Sequence, residues 1–239
     1  MSARQLSFDL PARPALGRDD FFVSPANAQA VALVEGWRDW PARKLVLCGP
    51  AGSGKTHLAH VWAALSGARI VPARDLAGEN IAALASAPVA VEGADGIAGT
   101  ATCEAALFHL HNLALAEGHA LLVTARAAPG QWRLALPDLA SRMEAALLAQ
   151  LDPPDDTLLR AVLAKLFADR QLSPSPECVP YLARRIERTF DAAERAVDML
   201  DARALAEGRA ITRALASDIV ESIGARAGTP SPSRYTSSA

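Results

Sequence analysis

The chain has 239 residues, 51% of them hydrophobic and 21% charged, which is enough for one or two domains with sizeable cores and excludes a disordered or collagen-like polymer. Lys and Arg number 24 against 26 Asp and Glu, a formal charge of −2 that gives no global drive towards DNA or acidic membranes. Any nucleic-acid role must be local or borrowed from a partner.

Residues 1–18 lack periodicity and carry prolines at 11 and 14, so they read as an extended arm. Residues 1–10 have no continuous apolar stretch of the signal-peptide kind, and no later apolar run reaches the ~18 residues needed to span a bilayer. Cys48, Cys103 and Cys178 are far apart, without CxxC or Cys/His spacing, which argues against a metal site or a disulfide framework. A soluble protein of the reducing cytoplasm is expected.

From residue 19 to 152, short apolar runs at 44–48, 68–71, 89–92 and 120–124 alternate with helical patterns at 26–37, 55–66 and 104–117. Strands apolar on both faces with helices between them predict a parallel α/β sheet. Trp37 and Trp40 read as packing anchors before the first strand rather than as a base-stacking platform. His109 and His111 stand two apart on a predicted helix and cannot share a face, which argues against a metal pair. Asp152-Pro153-Pro154 breaks the chain, and residues 153–225 read as helix throughout. Helix starts are expected at Asp156, at Ser175 with Pro176 in the first helical position, and at Thr212. An all-helical domain therefore follows the α/β one, and residues 226–239, rich in Gly, Pro, Ser and Thr, read as a disordered tail.

The strongest chemical signal is Gly49-Pro50-Ala51-Gly52-Ser53-Gly54-Lys55-Thr56, a complete GxxxxGK[ST] between a predicted strand and a predicted helix. Its glycines let successive backbone N–H groups face phosphate oxygens. Lys55 reaches the β/γ-phosphates and Thr56 offers its hydroxyl to Mg²⁺. ADP or ATP with Mg²⁺ is the expected cofactor. The acidic partner that holds the metal's water shell is Glu92, at the end of the 89–92 run, where Asp is usual. The next position, where a hydrolytic enzyme places an acid to orient water, is Gly93. Asp95 is a substitute from the following loop or a solvated turn residue. Slow or absent intrinsic hydrolysis follows.

The P-loop with its following His57-Leu58, the helical lid, and above all Leu136-Pro137-Asp138-Leu139-Ala140-Ser141-Arg142 resemble the DnaA-related AAA+ proteins over residues 20–223. The resemblance implies a P-loop AAA+ sheet sandwiched by helices and followed by a small helical lid. It also implies that Arg142 is an arginine finger that enters a neighbouring subunit's nucleotide site; the alternative is a surface arginine at a helix end. His57 joins the nucleotide-binding set. The family's first polar sensor position falls on Arg126 and its second, usually arginine, on Asp191, where an acid opposes a γ-phosphate although it suits the first turn of a helix. Gln5-Leu6-Ser7-Phe8-Asp9-Leu10 resembles the hexapeptide by which bacterial replication proteins dock on the β sliding clamp. Leu6, Phe8 and Leu10 would be the apolar anchors and Gln5 the register amide, the alternative being a plain leader. Arg184, Arg185 and Arg188 read as a solvated lid face with a lesser chance of meeting DNA.

Two roles follow from the resemblance. One is a clamp-docked regulator of replication initiation that stimulates hydrolysis of DnaA-bound ATP, replisome-associated, touching DNA mainly through the clamp. The other is a DNA-associated initiator or helicase-loader paralogue. The sequence between residues 71 and 89 is too short for the helix pair that DnaA uses on single strands, and no helix-turn-helix segment follows the lid, which favours the first. Homo-oligomers through head-to-tail AAA+ contacts are also expected.

Overall fold

A computed structural model describes residues 21–227. Five strands, β1 (Lys44–Cys48), β2 (Arg69–Pro72), β3 (Val89–Glu92), β4 (Leu121–Ala125) and β5 (Leu147–Gln150), form one parallel sheet in the order β2-β3-β4-β1-β5. Side-chain alternation divides the strands between two cores. Val46, Val89, Val91, Leu121 and Val123 pack on one face with Leu107, Leu110 and Leu139. Leu45, Leu47, Ala90 and Leu122 pack on the other with Val31, Leu58 and Trp62. Burial on both faces is why these strands read as unbroken apolar runs.

Helices α1 (Ala28–Glu35) and α2 (Lys55–Ser66) cover the second face, and α3 (Ile81–Ala85), α4 (Ala101–Ala116) and α5 (Pro137–Glu144) the first. Trp40 stacks on Trp62 at 5.4 Å, Trp37 meets Trp62 edge-on at 6.3 Å, and Trp40 Nε1 donates to the Leu33 carbonyl at 2.7 Å. The tryptophans are packing anchors, as their positions before the first strand suggested. After Leu151 come α6 (Asp156–Asp169), α7 (Cys178–Arg185), α8 (Phe190–Glu207) and α9 (Arg213–Ala227), gathered around a separate core that includes Leu163, Phe167, Leu182, Val197 and Leu215.

Several boundaries differ from the sequence reading. Strands β2 and β4 each start one residue later than expected, set by pairing of Arg69 with Val89 and of Lys44 with Leu121. Strand β5 was not anticipated: Leu-Leu-Ala-Gln is short and lies at a half-exposed sheet edge. Helix α1 is shorter than 26–37, because the chain tightens into a 3-10 turn at Trp37–Asp39. Helix α6 is capped by Asp155, which accepts from Leu158 N at 2.7 Å, one residue before the expected start. Helix α7 begins at Cys178, not at Ser175-Pro176, after a turn in which Cys178 N bonds to the Ser175 carbonyl at 2.9 Å. Thr212 does cap α9, its hydroxyl accepting from Leu215 N at 3.4 Å. The arm with Gln5, Leu6, Phe8 and Leu10, and most of the expected tail, lie outside the described residues. No described helix is long and apolar enough to cross a membrane.

Candidate functional site

The winding of the chain reverses at β1, which has β4 on one side and β5 on the other, and the crevice at the carboxyl ends of such strands is where parallel sheets bind ligands. The loop 49–54 occupies that point. Gly49 N donates to the Ala125 carbonyl at 3.2 Å, which moors the loop to β4. A Cβ on Gly49 would lie 2.5 Å from the Leu151 carbonyl oxygen, so backbone packing requires glycine there. Gly52 and Gly54 have φ of 66° and 92°, the left-handed region that glycine adopts without cost. Helix α2 then begins at Lys55, with Leu58 N on the Gly54 carbonyl at 2.9 Å.

Lys55 Nζ donates to the carbonyls of Gly49 and Pro50, both at 2.7 Å, so its ammonium is curled over the mouth of the loop. Burial holds it below the ordinary lysine range; Asp95 and Asp191 oppose that shift and Arg126 adds to it. Residues from three other parts of the chain thus act electrostatically on the P-loop lysine. Arg126 follows β4, Asp95 lies in the 3-10 turn Ala94–Ile97 after β3, and Asp191 is in the first turn of α8. Ser53 is 3% exposed and its Oγ has no hydrogen-bond partner among the described residues. Thr56 is exposed at the start of α2, and His57 packs edge-on against Phe21 at 5.0 Å.

Glu92 ends β3, and its Oε1 is buried without a hydrogen-bond partner among the described residues. A buried carboxylate oxygen with no partner is costly, and metal-bound water is the partner such an atom fits. Gly93, at φ 70°, donates its N–H to Thr124 Oγ at 3.1 Å and so ties the ends of β3 and β4 together. The residue set suits a magnesium nucleotide: amide donors for phosphate, Lys55 for its charge, and Thr56 and Glu92 for the ion's hydration shell. Among the described residues, no group of three or more His, Cys, Asp or Glu could hold a metal by protein ligands alone. All three cysteines are buried and unpaired, and burial pushes the Cys178 thiol up to about 11.

The lid reaches this loop directly. Phe190 N donates to the Gly52 carbonyl at 2.8 Å, while a Cβ on Gly52 would come within 2.6 Å of Thr189 and 3.3 Å of the Asp191 carboxyl carbon. The start of α8, capped by Thr189 Oγ on Ala192 N at 3.1 Å, therefore rests on the P-loop and sets an acid beside it. Arg184, Arg185 and Arg188 are all exposed, as read from sequence, and Arg188 is ion-paired to Asp156 at 2.6 Å.

Arg142 belongs to a second location. It is exposed near the end of α5, its guanidinium 5.1 Å from the centroid of the Phe108 ring, and it makes no salt bridge among the described residues. Its carbonyl accepts from Lys44 Nζ at 2.6 Å, at the amino end of β1. Four strand steps, about 13 Å, separate that end from Cys48 and the P-loop.

Two polar residues of the interior, Glu104 and Lys44, escaped the sequence reading, and His111, read there only as no part of a metal pair, joins them. Glu104, 1% exposed, accepts from Gly99 N at 2.7 Å, Ala135 N at 3.1 Å and Leu136 N at 2.8 Å. Lys44, 7% exposed, approaches His111 Nε2 at 3.5 Å, and His111, 2% exposed, contacts Asn112 Oδ1 through Nδ1 at 3.1 Å. An acid inside an apolar helix and a lysine opening an apolar strand were the available signals.

No family model matches the chain. It is 28% identical over 236 residues to the chromosomal replication initiator protein DnaA of Thermomicrobium roseum, covering 87% of this chain and 50% of that protein. The chain spans about half the length of the curated relatives it matches. Among solved structures, domain III of the Thermotoga maritima replication initiation protein DnaA superposes with a TM-score of 0.75 at 17% identity, over 89% of this chain and 98% of that one. AMPPCP-bound DnaA from Aquifex aeolicus gives 0.68 at 16% identity, over 81% and 67%. The chain therefore has the fold of DnaA domain III, a five-stranded parallel sheet between helices followed by a helical lid, and is similar in sequence to DnaA replication initiators.

Proposed function

We propose that this chain is a regulator of the Hda type, which docks on the β sliding clamp through Gln5, Leu6, Phe8 and Leu10 and supplies Arg142 in trans to ATP held by DnaA. The carrying observation is the separation of the chain's two charged centres. Arg142 has no acidic partner among the described residues and is anchored at the amino end of β1, while the chain's own P-loop is at the carboxyl end. A finger so placed serves a neighbour. A planar, permanent cation set against the γ-phosphate stabilises charge that develops as the phosphoryl group leaves, an effect of about 10³–10⁵ in rate in other nucleotide hydrolases.

The chain's own nucleotide, ADP or ATP, is held by the loop amides, Lys55 and Thr56, with Glu92 on the water shell of Mg²⁺, which when bound neutralises phosphate charge. Gly93 offers no side chain to orient an attacking water, and Asp191 lies against Gly52. Both features favour a structural over a hydrolysed nucleotide. Tethering to the clamp raises the effective concentration of a weak contact between subunits. Such a protein works in the cytoplasm at the replisome, and head-to-tail packing also allows homo-oligomers.

The test is single-turnover hydrolysis of ATP preloaded on DnaA, with and without this protein and DNA-loaded clamp. Wild type stimulates; Arg142→Ala does not, while its nucleotide and clamp binding persist, and lysine rescues poorly because it lacks the planar fork. Wild-type stimulation by Arg142→Ala refutes the reading. Clamp-independent binding to origin or single-stranded DNA favours an initiator or helicase-loader paralogue instead.

A further inference from the structure

We propose that Lys44 is a positioning residue for Arg142, capping the end of α5 from inside the fold and keeping the guanidinium turned outward. This rests on the reading of Arg142 as a finger that acts in trans. Near the end of α5, Ala145 N bonds to the Ser141 carbonyl and Ala146 N to the Met143 carbonyl, both at 3.1 Å. The Arg142 carbonyl, whose helical donor would be Ala146 N, is passed over. Lys44 Nζ supplies the missing bond at 2.6 Å. A cation at a helix carboxyl end also complements the helix dipole.

A lysine is an expensive choice at a buried strand position. Burial and the nearby Arg142 charge both hold its ammonium below the ordinary range, so the two cations sense each other. That repulsion has a direction. Lys44 occupies the inner side of the α5 terminus, and the arginine guanidinium lies on the ring of Phe108, on the neighbouring helix α4, instead of folding back onto carbonyls of its own helix. His111 Nε2, 3.5 Å from Nζ, closes the other side of the lysine. Burial pushes the imidazole pKa down, opposed by the Asn112 contact, with Lys44 and Arg142 adding to the fall, so a neutral ring faces the ammonium. The chain enters this arrangement through two successive left-handed residues, Ala42 at φ 50° and Arg43 at φ 54°, an uncommon conformation for non-glycine residues. That entry brings Lys44 into register opposite Leu121.

The experiment compares wild type, Lys44→Met, Arg142→Ala and the double variant in single-turnover hydrolysis of DnaA-bound ATP, titrated to saturation on the clamp. Lys44→Met keeps an unbranched stem, one atom shorter, and removes donor and charge. It should lower the saturating rate about 10- to 100-fold, the scale of a misplaced catalytic group, with the half-saturating concentration unchanged. The double variant should match Arg142→Ala, since Lys44 acts only through Arg142. ADP affinity, governed by the opposite end of β1, serves as the fold check, and Lys44→Gln, too short to restore the contact, replaces the methionine variant if that one folds poorly. The position of Arg142 is read separately from its rate of modification by phenylglyoxal, followed by peptide mass spectrometry. Without Lys44 the guanidinium folds back and its labelling should slow several-fold. Wild-type stimulation and labelling in Lys44→Met, with Arg142→Ala inactive, overturn the proposal and leave the finger reading standing. If Arg142→Ala stimulates normally, the finger reading falls and the labelling alone decides whether Lys44 positions Arg142.

Discussion

Replacing Glu104 tests how the segment leading into α5 is held. One buried carboxylate gathers the amides of Gly99, Ala135 and Leu136, so it ties the turn before α4 to the two residues that precede α5. In Glu104→Ala, Gly99 and Ala135 are exposed and their amides can turn to water, whereas Leu136 is half-buried. Counting about 1–3 kcal/mol for the amide left unsatisfied and about 0.5 kcal/mol for each rehydrated one gives a loss of about 2–4 kcal/mol. Guanidinium unfolding followed by tryptophan fluorescence measures it cleanly, because Trp37, Trp40, Trp62 and Trp132 all precede the lid helices. Burial alone raises a carboxyl pKa, but the three amide donors outweigh it and hold Glu104 below its ordinary value. Its contribution is therefore complete above the ordinary glutamate range and is lost as pH falls through the depressed folded value. Glu104→Gln should be less stable than wild type at neutral pH, with the gap closing in acid. A loss below about 1 kcal/mol in the alanine variant, or a gap that persists unchanged in acid, would refute the assignment.

Two further outcomes follow. The purified protein should bind ADP at least as well as ATP and hydrolyse ATP slowly; Lys55→Ala should abolish binding of both, and Asp191→Arg should shift the preference towards ATP, as read by nucleotide titration. Replacing Gln5, Leu6 and Phe8 together by Ala should abolish clamp pulldown while leaving ADP affinity unchanged; retained pulldown would reduce the arm to a leader.

What could be read from sequence was whatever is local. The P-loop is legible because its glycines, Lys55 and Thr56 act within eight consecutive residues, and β1, α2 and β3 have the bounds that their apolar patterns predict. Strand β5 was missed because an edge strand of four residues with one buried position carries almost no pattern. Glu104 and Lys44, and the contact His111 makes with Lys44, were missed for another reason. Their partners lie 31 residues away for Glu104 and Ala135, 67 for Lys44 and His111, and 98 for Lys44 and Arg142. A polar residue in an apolar run announces that something satisfies it, but only the folded chain says what. Asp191 shows the intermediate case: its place in the first turn of a lid helix was readable, its approach to Gly52 was not.

Strand β1 connects these observations. It is buried along all five residues and paired in parallel on both sides, five residues with β4 and four with β5, which suits it to relate two distant groups. Its carboxyl end opens into the P-loop, whose Gly52 carbonyl receives the lid through Phe190 N; its amino end presents Lys44 to the carbonyl of Arg142. The lid is thus bonded to the loop itself, whereas α5 is referenced to the sheet through Lys44. In the proposed role this division is useful. The subunit's own nucleotide sets the lid surface offered to a neighbour, and the guanidinium at the other end of the strand keeps one aim whatever the nucleotide state.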